Sequence, residues 1–370
     1  LKTDNKRRIF FIMAIAILLL ALSNGMRFTI PLDVINPYEY FYGTERMHFQ
    51  IMNIFLGGAA VSFAAVAAGY MLMAFKDHPL MNIILTLVVM MIVSVISAVF
   101  LFGFDPLPGI LLMLIIAAFF IRTDRRIVLG AFVLLFTLHV IVNGLMVLIS
   151  GMHSPGDIIY SSIQEVNRFS STFRSSDYFA IIGLNLEVFF TYQVSEWLMW
   201  VLGILPWTLL GIVLYRFNVA ELFKNNGMLM ISMTAALLTG GLLIKMIEVI
   251  SIGSFTAAEF AERFGGPLLG TGYFMLVFLI YNLLPEKLSK VFGAAGEKGL
   301  TVYVLSNILM AFASYGIGFT LYGEVAISNM IFIILIIYAV LLVIMNILRN
   351  YDVKTLEELS AVTVRNENIK

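Results

Sequence analysis

Cysteine is absent from the 370 residues, and charge is scarce: Asp, Glu, Lys and Arg together make up 12% of the chain. Without a thiol there is no disulfide, no thiolate metal site and no cysteine nucleophile. An ordinary soluble domain is about 25% charged, so this chain has too few charges to clothe a water-soluble surface. The 23 basic and 23 acidic side chains cancel, which removes the global positive field expected of a nucleic-acid-binding protein. A phosphate-binding Gly-Lys-Ser/Thr loop is missing too. The nearest stretch, GAAGEKGLT (293 to 301), places Glu297 before Lys298 and lacks the required spacing.

What remains is apolar. Hydrophobic residues account for 61% of the sequence, and runs such as IFFIMAIAILLLALSNGM (9 to 26) stay free of charge over the ~20 residues that a membrane crossing needs. The fold class is therefore all-α, a polytopic transmembrane bundle. Cutting the apolar runs at Pro, Gly and charge clusters predicts ten crossings: 9 to 29, 50 to 75, 80 to 102, 107 to 121, 127 to 149, 197 to 216, 227 to 250, 267 to 284, 299 to 321 and 326 to 348. The first follows Lys6-Arg7-Arg8 and reads as a retained span, because it ends in Ser23-Asn24-Gly25 and not in a small-x-small cleavage site. Residues 1 to 349 form one transmembrane domain and 350 to 370 a cytoplasmic tail.

Residues 178 to 193 are the ambiguous piece, short for a span and carrying Asn185 and Glu187. If they do not cross, 17 Lys and Arg fall on the cytoplasmic side and 6 outside; if they do, the split becomes 10 against 13. The positive-inside bias selects the first case. Both termini are then cytoplasmic, and 178 to 193 is a re-entrant or interfacial element on the outer side. The preceding external loop, 151 to 177, repeats Ile159, Ile163, Val166 and Phe173 at helical spacing, which predicts an amphipathic helix on the outer leaflet, an anchor or a lid.

Polar side chains at membrane depth are costly enough to be site candidates. Lys245 and Glu248 share a helix face near the outer interface and read as a snorkelling ion pair. Glu187 has no basic residue near it in sequence and is a candidate to line a cavity. His139 and Asn143, four apart, read as a histidine satisfied by a neighbouring carbonyl or amide, with a proton relay as the alternative. Asp105 precedes Pro106 and suits a helix cap. His153, Ser154 and Asp157 lie close together in sequence, which is no evidence of triad geometry. The small residues of GGAAVSFAAVAAG (57 to 69) predict close helix packing. The Gly296–Gly299 stretch predicts a helix N-terminus at the cytoplasmic face, with Tyr303 and Asn307 turned toward protein.

The stretch from Gly296 to Tyr303, in which Gly296, Leu300, Thr301 and Tyr303 match, resembles the C-terminal signature of the YeiB-like family of bacterial membrane proteins (domain of unknown function 418). Residues 264 to 279 resemble the segment before that signature, 315 to 323 the one after it and 59 to 72 the family's second span. Asn24, Asp105 and Arg168 also fall on family positions. Glu297, Val302 and Ser306 depart from the signature, and 346 to 359 lacks the family's Gly-Pro-Leu-Glu ending. The family is grouped with transmembrane acyltransferases similar to heparan glucosaminide acetyltransferase. That resemblance implies transfer of an acyl group from a cytoplasmic acyl-CoA, a donor substrate and not a resident cofactor, to an external sugar, lipid or peptide. It points to His48 as the catalytic candidate, to Asn24, Arg27, Asp105, Arg168 and Glu187 as lining an outer cavity, and to Gly296 and Lys298 as the place for the donor's phosphates; no metal site is expected. The implied setting is the bacterial inner membrane, with the bilayer, a lipid or glycan acceptor and a homodimer as partners. A transporter and a non-catalytic membrane partner are the rival classes.

Overall fold

The computed structural model describes residues 3–35, 37–150, 155–195, 197–251, 254–349, 351 and 355–358. Among them every regular element is helical. The chain opens with α1 (Thr3–Arg27), a four-residue α2 (Pro37–Tyr40), α3 (Gly43–Leu56), α4 (Ala59–Leu72), α5 (Leu80–Leu101), α6 (Leu107–Ala118) and α7 (Arg125–Ser150). A middle group follows: α8 (Pro155–Phe173), α9 (Tyr178–Val188), α10 (Trp197–Gly203), α11 (Leu205–Arg216) and α12 (Val219–Asn225). The last third contains α13 (Gly227–Ile250), α14 (Phe255–Phe260), α15 (Gly266–Tyr281), α16 (Glu286–Glu297), α17 (Gly299–Ser314) and α18 (Ile327–Leu348).

Among the described residues eight helical stretches are long and apolar enough to cross a membrane, and each coincides with an expected span. The other two expected spans fall on the shorter apolar helices α6 and α17. Several long helices bury only a minor part of their apolar surface: about one sixth of the most apolar window of α7 and of α13 is enclosed. A soluble protein could not leave so much hydrocarbon uncovered, whereas lipid accepts it.

Loops collect at two ends. At one end Lys6 pairs with Glu297, Arg7 with Glu286 and Lys298 with Glu358; we call this the basic end. At the opposite end Arg174 pairs with Glu324 and the Gly323 amide donates to the Thr29 carbonyl. The expected helix in the 151–177 loop is α8, which buries Val166, Phe169 and Phe173 and leaves Ile163 exposed. Residues 151–154, including His153 and Ser154, lie outside the described residues. The segment beginning with α9 touches the α5–α6 turn at both of its ends: the Tyr178 hydroxyl donates to Phe100 O, and the Tyr192 ring lies 5.9 Å from that of Phe104. Both contacts lie at the α5–α6 end of the bundle, away from Lys6.

The small-residue stripe packs as its spacing predicts. A Cβ on Gly69 would stand 1.9 Å from Thr208 O, and one on Gly211 2.1 Å from Val66 O, so α4 and α11 approach backbone to backbone. This contact anchors the main core, which α1, α6, α15 and α18 complete.

Candidate functional site

Asp105, in the turn between α5 and α6, is a carboxylate with no exposed surface. Sequence predicts that it caps α6, and its Oδ1 does accept from the Leu107 amide at 2.9 Å. It also accepts from two residues on α17 nearly 200 positions away: the Tyr303 hydroxyl at 2.6 Å, to the same Oδ1, and Asn307 Nδ2 at 3.0 Å, to Oδ2. Asn24, near the far end of α1, donates Nδ2 to the Tyr303 oxygen at 2.7 Å. A relay thus runs from α1 through a phenol to a carboxylate, with Tyr303 and Asn307 exposed by only 2% and 1%. One helical turn places both side chains on the same face of α17, which is why a span carries this pair and turns it inward.

Among the described residues no cation touches this carboxylate. Three donors stand where a salt bridge would ordinarily be, and each is oriented by a helix that packs elsewhere. Such a group is stable in the core because every lone-pair direction in use meets a donor; removing one donor would leave buried charge uncompensated.

The other expected site residues divide into separate groups. Arg27 is held by Asp33 in a bidentate pair, Nε to Oδ2 at 2.6 Å and Nη2 to Oδ1 at 2.8 Å, and its Nη1 also donates to Ser23 Oγ. Glu187 does have a basic neighbour: Arg168 Nη2 lies 2.8 Å from its Oε1, and Arg168 also meets Glu165 at 3.2 Å. The expectation of an unneutralised Glu187 fails because α8 folds back beside α9 and brings Arg168 across 19 residues of sequence. Both side chains are more than 40% exposed, so this pair sits on the surface and not with Asp105. His48 is half-buried on α3, whose inward face carries Phe49, Asn53 and Leu56. Phe49 and Val166 share one apolar cluster, so His48 and Arg168 stand at the same end of the bundle.

At the basic end, Gly296 is closed to any ligand by α1: a Cβ there would lie 1.8 Å from Phe10 O. Its lack of a side chain serves helix contact. Lys298 donates to Glu358 at 2.7 Å. The start of α17 is occupied by the chain's own tail, since Glu357 accepts from the Thr301 amide at 3.0 Å and from the Thr301 hydroxyl at 2.7 Å. The Leu356 amide completes the contact by donating to Thr301 Oγ1. A helix N-terminus attracts an anion, and here the anions are Glu357 and Glu358. Lys298 in turn holds the Glu358 carboxyl below the ordinary glutamate value.

Two further polar groups lie within the spans. Lys245 and Glu248 have no exposed side-chain surface and meet at 3.4 Å, and Glu248 Oε1 accepts from Asn53 Nδ2 at 2.9 Å. The expected snorkelling does not occur, because α3 and the α14–α15 stretch cover that face of α13. His139 is satisfied by neighbours, as expected: Nε2 lies 3.1 Å from Arg263 O, and Nδ1 lies 3.0 Å from Asn143 Nδ2 and 2.9 Å from Leu202 O. A neutral ring carries one N–H, so it donates to the Arg263 carbonyl or to the Leu202 carbonyl and not to both. Among the described residues no three His, Asp or Glu side chains converge as metal ligands would.

A bundle of lipid-compatible helices that encloses a few bonded polar side chains defines a polytopic α-helical membrane protein. Within that class, residues 214–351 match the model of a family described as "Protein of unknown function (DUF418)", which bears out the YeiB-like resemblance read from the signature around Tyr303. No curated protein and no solved structure matches the chain.

Proposed function

We propose that this protein transfers an acyl group across the bacterial inner membrane, from a cytoplasmic acyl thioester to a hydroxyl or amine on an extracytoplasmic sugar, lipid or peptide. The observation that carries this reading is Asp105, a carboxylate that meets no cation among the described residues, enclosed at the meeting of α1, α6 and α17 and reached through Tyr303. Polar groups this deep in a bundle are costly and mark function. The basic end faces the cytoplasm, in keeping with the bias of Lys and Arg. In the transfer, the acceptor attacks the acyl carbonyl carbon, the thiol leaves, and the acceptor's proton passes to a base. His48, at the outer end, is the candidate for that base or for a transient acyl carrier, and the Asn24–Tyr303–Asp105 relay is the candidate proton-holding element of the core.

The test is thiol release from acyl-CoA by the purified protein in lipid, together with the acylation state of envelope molecules in cells with and without the gene. Asp105→Asn and Tyr303→Phe should each abolish thiol release while leaving the protein folded. A second reading, small-molecule transport, rests on the Lys245–Glu248–Asn53 group sealed between spans. Unchanged acylation combined with altered export would favour it.

A further inference from the structure

We infer that His139 is a two-position joint: its ring proton ties α7 either to the break between α10 and α11 or to the break before α15, and moving that proton exchanges one tie for the other. This inference goes beyond the acyl-transfer reading and does not need it. Its basis is a pair of prolines. Pro206 and Pro267 have no amide proton, so the carbonyls four residues before them, Leu202 and Arg263, lack the bond that a continuous α-helix would supply. Leu202 lies in the last turn of α10, and Arg263 in the π-helical turn Ala261–Gly265 that leads into α15. Both carbonyls meet the same imidazole, Leu202 O at 2.9 Å from Nδ1 and Arg263 O at 3.1 Å from Nε2.

One proton faces two acceptors. On Nε2 it is donated to Arg263 O, and Nδ1 accepts from Asn143 Nδ2 at 3.0 Å, but Nδ1 and Leu202 O then face each other as two acceptors. On Nδ1 it is donated to Leu202 O, Asn143 Nδ2 keeps its bond to His139 O at 2.9 Å, and the mismatch moves to Nε2 and Arg263 O. Each form serves one proline break and leaves the other unmatched, which is the condition for a two-state element. The charged side chains at this ring are Arg263 and Glu259: Arg263 Nη1 donates to Asn143 Oδ1 at 2.9 Å, which fixes the end of Asn143 that meets the imidazole, and its Nε donates to Glu259. The buried ring sits edge to face with Trp207 and Phe264, at 5.6 and 6.0 Å, so the exchange is a proton shift and not a ring flip. A water that takes the Nε2 proton and gives one to Nδ1 leaves atoms and charge unchanged. The two ties lead to different parts of the bundle. The Pro206 side enters the close α4–α11 contact, whereas Gly265 on the other side lies against Lys245, whose Cγ would be 3.0 Å from a Cβ there. Because α7 encloses little apolar surface, interhelical hydrogen bonds contribute much to where it sits in lipid.

The experiment is nitrogen-15 solid-state NMR of the full chain, histidine-labelled and reconstituted in lipid near neutral pH, with the His139 signals identified by their loss in His139→Gln. Both neutral forms of the ring are expected. Pro206→Ala returns an amide to Leu202 O and should raise the share with the proton on Nε2; Pro267→Ala returns one to Arg263 O and should raise the share on Nδ1. Each should change the ratio of the two forms about fivefold, the effect of one hydrogen bond. Asn143→Leu removes the donor to Nδ1 and should act in the same direction as Pro267→Ala. The proline variants add a helix bond, so they report without loss of the fold. The cysteine-free chain also accepts a spin-label pair at Leu145→Cys on α7 and Leu198→Cys on α10, both exposed. The shorter of their separations should gain population in Pro267→Ala and lose it in Pro206→Ala. The same nitrogen protonated in the unaltered protein and in all three variants would overturn the inference. So would a doubly protonated ring, or label separations that do not differ between the two proline variants.

Discussion

Asp105 and the Lys245–Glu248 pair are both sealed inside this bundle, and they solve the same physical problem in opposite ways. Asp105 stands alone as a charge and is matched by a phenol, an amide side chain and a backbone amide. Lys245 and Glu248 instead match each other's charge at 3.4 Å, yet the lysine nitrogen and Glu248 Oε2 have no hydrogen-bond partner. The first arrangement satisfies hydrogen bonding without cancelling charge; the second cancels charge without satisfying hydrogen bonding. A neutralised pair has value chiefly as a pair, so its cost appears when one member is removed. A carboxylate held by neutral donors can gain or lose a proton without stranding a partner ion, which suits it to chemistry.

Substitutions can break this contrast, and the largest effect is expected at the ion pair. Lys245→Met strands a buried carboxylate and should cost about 3–5 kcal/mol, read as a fall in thermal stability of the detergent-solubilised protein. Lys245→Met combined with Glu248→Gln should recover most of that loss; no recovery would mean that the two side chains act separately. Tyr303→Phe removes one donor from Asp105 and should cost a smaller ~1–3 kcal/mol in the same unfolding measurement, while thiol release is lost altogether. If stability falls and activity persists, the Asp105 relay is scaffolding only.

The smallest effect is expected at the tail. Removing residues 355 to 370, or Glu357→Gln, should change stability by less than about 1 kcal/mol, the scale of an anion at a helix N-terminus. The tail contact is also pH-dependent. Glu358 is held below its usual value by Lys298, so its contribution is present above the ordinary glutamate range and is lost as the pH falls through the lowered value. Protease accessibility of the tail should therefore be constant near neutrality and rise only in clearly acidic solution; a rise between pH 6 and 8 would contradict the assignment.

Much of the architecture was legible because the apolar runs have few alternatives. A charge-free stretch of span length has one stable home, and each of the eight long apolar helices among the described residues falls on an expected span. The inward turn of Tyr303 and Asn307 was readable from their spacing, since two polar side chains one turn apart in a span need a protein partner. That partner was not readable, because Asp105 lies 198 residues from Tyr303 and local spacing carries no information about such a meeting. The same holds for Arg168 with Glu187 and for the tail glutamates with Thr301. The burial of Lys245 was missed for a related reason: distance along a helix estimates depth, but only neighbouring helices decide whether a side chain reaches water.

The central claim is that the Asn24–Tyr303–Asp105 relay takes part in chemistry and does more than brace the core. It is tested most directly by thiol release from acyl-CoA in lipid, comparing the unaltered protein with Asp105→Asn, a substitution that keeps the shape of the side chain. Acceptor-dependent release by the unaltered protein is expected, and none by a variant that remains folded. Equal release by both proteins, or none by either in the presence of envelope extract, would contradict it.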